Sequence, residues 1–112
     1  MNKNAEAWVK ALRSGKYKQG RGALRTGDMY CCLGVACELV GVKAEKPDDL
    51  IGPYGYDGIF FTLPVSVQKW LGVKTGNGTY EVEHALSSDN DVGKTFEAIA
   101  DIIKSEPEGL FA

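Results

Sequence analysis

Three thiols crowd a seven-residue stretch of this 112-residue chain: Cys31, Cys32 and Cys37. A cysteine attacks as its thiolate, and a helix N-terminus lowers thiol pKa through its dipole and free N–H groups. A helix starting near Cys31 would give Cys31 or Cys32 that setting. His84, the only histidine, could then act as base, with Asp89 or Asp91 orienting it. Their spacing fits no protease motif, and free cysteines are more often small core residues. No catalytic residue is therefore assigned. Three thiols and one imidazole could also ligate a metal on paper. They do not come as the two spaced pairs that close a tetrahedral zinc site, so neither metal nor cofactor is expected.

The stretch from Lys16 to Arg25 offers different chemistry. Gly20 and Gly22 let backbone N–H groups approach an anion, and Arg21 and Arg25 carry the guanidinium fork that grips phosphate. Alternation would place Gln19, Arg21, Ala23 and Arg25 on one face of a strand. The Gly-Lys-Ser/Thr ending of a nucleotide-hydrolysing loop is missing. Asn90-Asp91 supplies a donor and acceptors suited to a base edge or ribose hydroxyl. The plainer reading of the same pair is a turn and helix entry. Tyr54 and Tyr56, in a turn-rich loop, are the stacking candidates, while Phe60 and Phe61 are expected to split between the faces of a buried strand.

These residues need elements to hold them. Ala5, Trp8, Val9 and Leu12 make one helical face, with Asn4 as the expected cap and Gly15 as the stop. Lys16–Tyr30 reads as a hairpin or strand–turn–strand around Thr26-Gly27-Asp28. Cys32, Val35, Ala36 and Leu39 recur at helical spacing up to Gly41. A long turn-rich loop spans about 43–62 and ends in a strand at Ile59-Phe60-Phe61; loops of that length are often functional. A third helix opens at Leu63-Pro64, and Thr79–Glu83 looks like a half-exposed strand. Ser87–Asp91 reads as a polar connection. The last helix is capped by Thr95 and carries Phe96, Ile99, Ala100 and Ile103 on one face. About four short helices on a short, mainly antiparallel sheet make an α+β fold, a single domain over 1–112.

Composition narrows the function. With 44% hydrophobic and 25% charged residues, the chain is globular rather than disordered. No apolar run reaches the ~20 residues of a membrane span, and the N-terminus lacks the apolar stretch of a signal peptide. The expectation is a cytoplasmic protein with reduced thiols and no membrane partner. Net charge is −2, which argues against stable nucleic-acid binding. It is unevenly spread: residues 1–27 hold seven Lys and Arg against Glu6 alone, a net of +6, so the rest carries −8.

Four blocks carry a resemblance. They are Trp8-x-x-Ala11-Leu12-Arg13-Ser14-Gly15-x-Tyr17-x-Gln19; Tyr30 through Leu39 (YCCLGVACEL); Leu63-Pro64 to Trp70-Leu71-Gly72; and Asn90-Asp91-x-Gly93 running into Phe96-x-x-Ile99-Ala100-Asp101-x-Ile103. In this order the chain resembles a family of small, largely hypothetical proteins widespread in tailed bacteriophages. The resemblance implies a viral protein in the cytoplasm of a bacterial host, and it leaves His84 outside every block. The setting and the basic stretch together suggest a non-catalytic binder of a phosphorylated small molecule. One use would be counter-defence, by sequestering a host nucleotide signal. Its expected ligand-binding residues are Gln19, Arg21, Arg25, Tyr54, Tyr56, Asn90 and Asp91. Self-association fits this reading, since a short chain deepens a pocket by sharing walls across an interface. Two alternatives stand beside it. One is a protein–protein interaction module that inhibits a host enzyme through the acidic 43–62 loop or the aromatics; the other is a cysteine-dependent hydrolase.

Overall fold

The computed structural model describes residues 1–49 and 51–112. Helix α1 (Lys3–Arg13) forms where the apolar spacing places it, and it buries Ala5, Trp8, Val9 and Leu12. Its cap is Asn2, whose side chain accepts from the Ala5 N–H at 2.8 Å. Asn4, the expected cap, instead donates to the Trp70 carbonyl at 2.8 Å. The buried stripe packs along α5 (Phe96–Lys104), which buries Phe96, Ile99, Ala100 and Ile103. Burying each such large apolar side chain is worth about 1.5–3 kcal/mol. At the exposed edge Arg13 pairs with both Glu97 and Asp101 of α5.

Helix α2 (Cys32–Val40) is the centre of the molecule. Residues Cys32 to Cys37 are all buried, and Gly41 ends the helix in a left-handed conformation with φ of 87°. Trp8 of α1 donates its indole N–H to the Cys32 carbonyl at 2.9 Å. Gly34 lets the chain cross closely, since an added Cβ would sit 1.8 Å from the Leu24 carbonyl oxygen. Helix α3 (Val65–Leu71) buries Val67 and Leu71, and Pro64 is its cap rather than its first residue.

The strands are short. β1 (Lys18–Gln19), β2 (Arg25–Thr26) and β3 (Met29–Tyr30) form one sheet in the order β1-β3-β2, with β1 parallel and β2 antiparallel to β3. β4 (Ala44–Glu45) pairs antiparallel with β5 (Gly55–Tyr56), and β6 (Thr79–Tyr80) with β7 (His84–Ala85). The fold is thus α+β and compact, with small, mainly antiparallel sheets rather than one continuous sheet.

Two expectations about elements are corrected. Ser87–Asp91 lies within a fifth helix, α4 (Leu86–Asp91), which tertiary contacts hold by burying Leu86, Asp89 and Asn90. Ile59-Phe60-Phe61 is not a buried strand. Asp57 and Gly58, at φ of 53° and 75°, turn the chain back so that Tyr56 and Ile59 exchange backbone hydrogen bonds. That leaves Phe60 40% and Phe61 60% exposed. The 43–62 segment is strapped to the body: Tyr54 N–H donates to the Arg25 carbonyl at 2.9 Å, and Leu24 N–H to the Phe60 carbonyl at 2.8 Å.

Candidate functional site

Gln19, Asn90 and Asp91 do meet in space, but as a clasp between the β1–β2 connection and α4. The Asn90 amide is fully buried. Its oxygen accepts from Gln19 Nε2 at 2.9 Å and from the Cys32 N–H at 3.1 Å. Its nitrogen donates to the Gly20 carbonyl at 2.8 Å. Gln19 continues the network, donating to the Lys94 carbonyl at 2.8 Å and accepting from the Phe96 N–H at 3.2 Å. Asp91 accepts from the Gly22 N–H at 2.9 Å. A fully buried amide engaged at both its oxygen and its nitrogen acts as a structural tie between the segments it bonds. Gln19 and Asn90, expected to bind a ligand, are thus engaged within the fold, and the Gly22 N–H expected to face an anion already has a carboxylate.

The two arginines part company. Residues 20–24 are not a strand, so the alternation expected to align Arg21 with Arg25 does not hold. Arg25 lies with its guanidinium carbon 4.1 Å from the Tyr54 ring centre and 5.2 Å from that of Tyr30. Its Nε donates to the Gly27 carbonyl at 2.8 Å, and Glu38 stands 4.0 Å away. Tyr54 is thereby an internal cation–π partner that pins the 43–62 segment. Tyr56, expected to stack on a ligand, is fully buried with its hydroxyl donating to Glu38 at 2.7 Å. Arg21 stays exposed, and among the described residues it makes no ion pair. It overlooks Gly93, where an added Cβ would lie 3.0 Å from a guanidinium nitrogen, and borders a small pocket of about 220 Å3 with Thr26 and Met29.

The thiols are unsuited to attack. Cys31, Cys32 and Cys37 are all buried and free. Burial pushes the Cys31 thiol up to about 11, that of Cys37 up to about 12, and that of Cys32 well above its ordinary value. Desolvation thus outweighs the helix N-terminus, and the thiolate is a minor species at neutral pH. His84 stacks on Tyr80 at 5.3 Å, while Asp89 accepts from the Tyr80 hydroxyl and pairs with Lys94 at 3.4 Å. Among the described residues no group of three or more His, Cys, Asp or Glu could hold a metal ion. No helix among them is long and apolar enough to cross a membrane.

Another exposed surface lies elsewhere. A groove of about 510 Å3 in the 43–62 segment is lined by the carboxylates Glu45, Asp48 and Asp49 and by apolar Pro47, Phe60 and Phe61, with Lys46 the one opposing charge. Bare backbone shapes it. A Cβ on Gly55 would lie 3.0 Å from Phe60 Cε1 and 3.4 Å from Glu45 Oε1; one on Gly52 would lie 2.8 Å from Asp49 Oδ1. The Phe60 and Phe61 rings sit 6.3 Å apart at an angle of 52°. Ile51, 86% exposed, follows in the same segment. The acidic and aromatic make-up of this loop was legible in the sequence. The exposure of both phenylalanines was not, although Asp57-Gly58 immediately before them is a turn signal.

A family model described as a domain of unknown function (DUF8296) matches residues 1–107, so the chain belongs to that family. No curated protein and no solved structure matches it.

Proposed function

We propose that this member of the DUF8296 family is a non-catalytic protein–protein interaction module. Its 43–62 groove docks a partner segment in which Lys or Arg flanks an apolar residue. One observation carries the reading: two adjacent, exposed phenylalanines share a groove with three carboxylates. A few anchors buried on binding, often aromatic, carry most of an interface's binding energy, and a rim of one charge sets orientation and association rate. An acidic rim selects a basic partner, and the phenylalanine faces also attract cations. If the chain serves a bacteriophage, the partner would be a host protein and the effect inhibitory.

The test is calorimetry with a synthetic Arg-Leu-Trp-Arg peptide. Binding should fall between about 10 µM and 1 mM, as for a small transient contact. Phe61→Ala should weaken it about tenfold, as truncating an aromatic anchor does. Asp48→Asn with Asp49→Asn should remove most of its salt dependence. No binding at millimolar peptide, or unchanged binding by these variants, would overturn the proposal.

A second reading rests on Arg21 alone. Arg21, exposed and sharing a small pocket with Thr26, supports a phosphorylated small molecule bound there, including a sequestered nucleotide signal. A phosphate-dependent rise in melting temperature that Arg21→Ala abolishes would support it. A flat response would remove it.

A further inference from the structure

The chain carries a second groove with the opposite charge. It lies between α1, the residues leading into β1 and the end of α2, has a volume of about 300 Å3, and is lined chiefly by Ala11, Tyr17 and Leu39 with Lys10 and Lys16. Both lysines are exposed, and among the described residues neither pairs with a carboxylate. Lys16 lies 5.8 Å from the Tyr17 ring centre. The cleft therefore offers two unpaired cations over an apolar floor. The 43–62 groove offers three carboxylates against Lys46, also over an apolar floor. The two linings share no residue, so one copy can present both surfaces at once.

We propose that the occupant of the acidic groove in the isolated protein is a second copy of this chain, presenting its Lys10–Lys16 cleft head to tail. This rests on reading the 43–62 groove as a docking surface, and it names that groove's partner. Charge matches at the contact, net −2 on the acidic groove against net +2 on the cleft. Oppositely charged faces steer copies together, and apolar floors hold them once desolvated. The contact joins different patches, so it builds a ring if the rotation closes and a chain if it does not. A basic partner segment would compete for the groove and release the copies.

The experiment is sedimentation velocity from about 10 µM to about 1 mM, in about 20 mM and about 500 mM salt, because screening weakens charge-steered contacts. At low salt the average mass should rise above the 12.1 kDa monomer with concentration, and it should return to the monomer at high salt. K10E with K16E, and separately D48K with D49K, should each stay monomeric. An equal mixture of the two should associate again, because the reversed charges match; this rescue also shows both variants folded. A monomeric wild type throughout, or association that survives either double substitution, would overturn the proposal. If the wild type is monomeric while Arg-Leu-Trp-Arg still binds in a Phe61-dependent way, the second copy is refuted and the docking groove stands. Loss of both removes the groove reading as well.

Discussion

Asn90 shows how a polar residue can look like a ligand contact and act as a clasp. Its amide ties three segments distant in sequence, through Gln19, Gly20 and Cys32, with no solvent access. Asn90→Ala should lower stability by about 2–4 kcal/mol in urea denaturation, because it leaves the Cys32 N–H and Gly20 carbonyl without their partner. Sequence placed Gln19 with Asn90-Asp91 as one group, and they do come together. It could not tell an open group from a closed one, since donor and acceptor inventories are the same in both. The thiols teach the same lesson. The place of Cys31 and Cys32 at the start of α2 was legible, but the burial that raises thiol pKa depends on α1, α4 and the Leu24 crossing. Alkylation of all three in the folded protein at neutral pH should be slower than for a free thiol by a factor of a hundred or more, as burial removes both thiolate and access. Each thiol is raised in the folded state, so unfolded chains lose these protons first. The stabilisation is whole below about pH 9 and is lost as pH climbs through about 11 to 12, the values of Cys31 and Cys37. A melting temperature that stays level from pH 8 to 11 would contradict this.

At the scale of elements, the apolar stripes of α1 and α5 fixed both helices and the faces they bury, because a 3.6-residue repeat leaves little choice. α4 was missed because its Ser-Ser-Asp-Asn-Asp run has poor helix propensity. Tertiary bonds to Asp89 and Asn90 hold it instead. Gly34 was visible only as a small residue in an apolar helix, whereas its close approach to Leu24 needs the fold to be seen. Gly34→Ala should therefore cost more than about 3 kcal/mol in urea denaturation, since the clash is with backbone rather than a movable side chain. Val82 offers the opposite change. It is 98% exposed with φ of 67°, a left-handed conformation that strains a β-branched residue. Val82→Gly should raise stability by about 1 kcal/mol, the penalty for an L-residue in that region; an unchanged midpoint would show that the strain is absent in solution.

Over the whole molecule, the expected basic ligand site disperses and a different surface gathers. Gln19, Asn90 and Asp91 close a clasp, Arg25 and Tyr54 strap the 43–62 segment, Tyr56 enters the core, and Arg21 is left by itself. What collects instead is the acidic, aromatic groove, opposite in charge to the Lys10–Lys16 cleft. The charge imbalance between the first quarter and the rest was plain in the sequence. How it maps onto grooves was not, because the mapping depends on which loops the straps hold open. The most direct test is a pair of NMR titrations of 15N-labelled protein, one with Arg-Leu-Trp-Arg and one with inorganic phosphate. The account predicts that the peptide shifts the described backbone amides between Glu45 and Phe61 while phosphate leaves Gly20 and Gly22 undisturbed. Peptide shifts absent from that segment, or phosphate shifts centred on Gly20 to Arg25, would contradict it and return the binding site to the basic stretch.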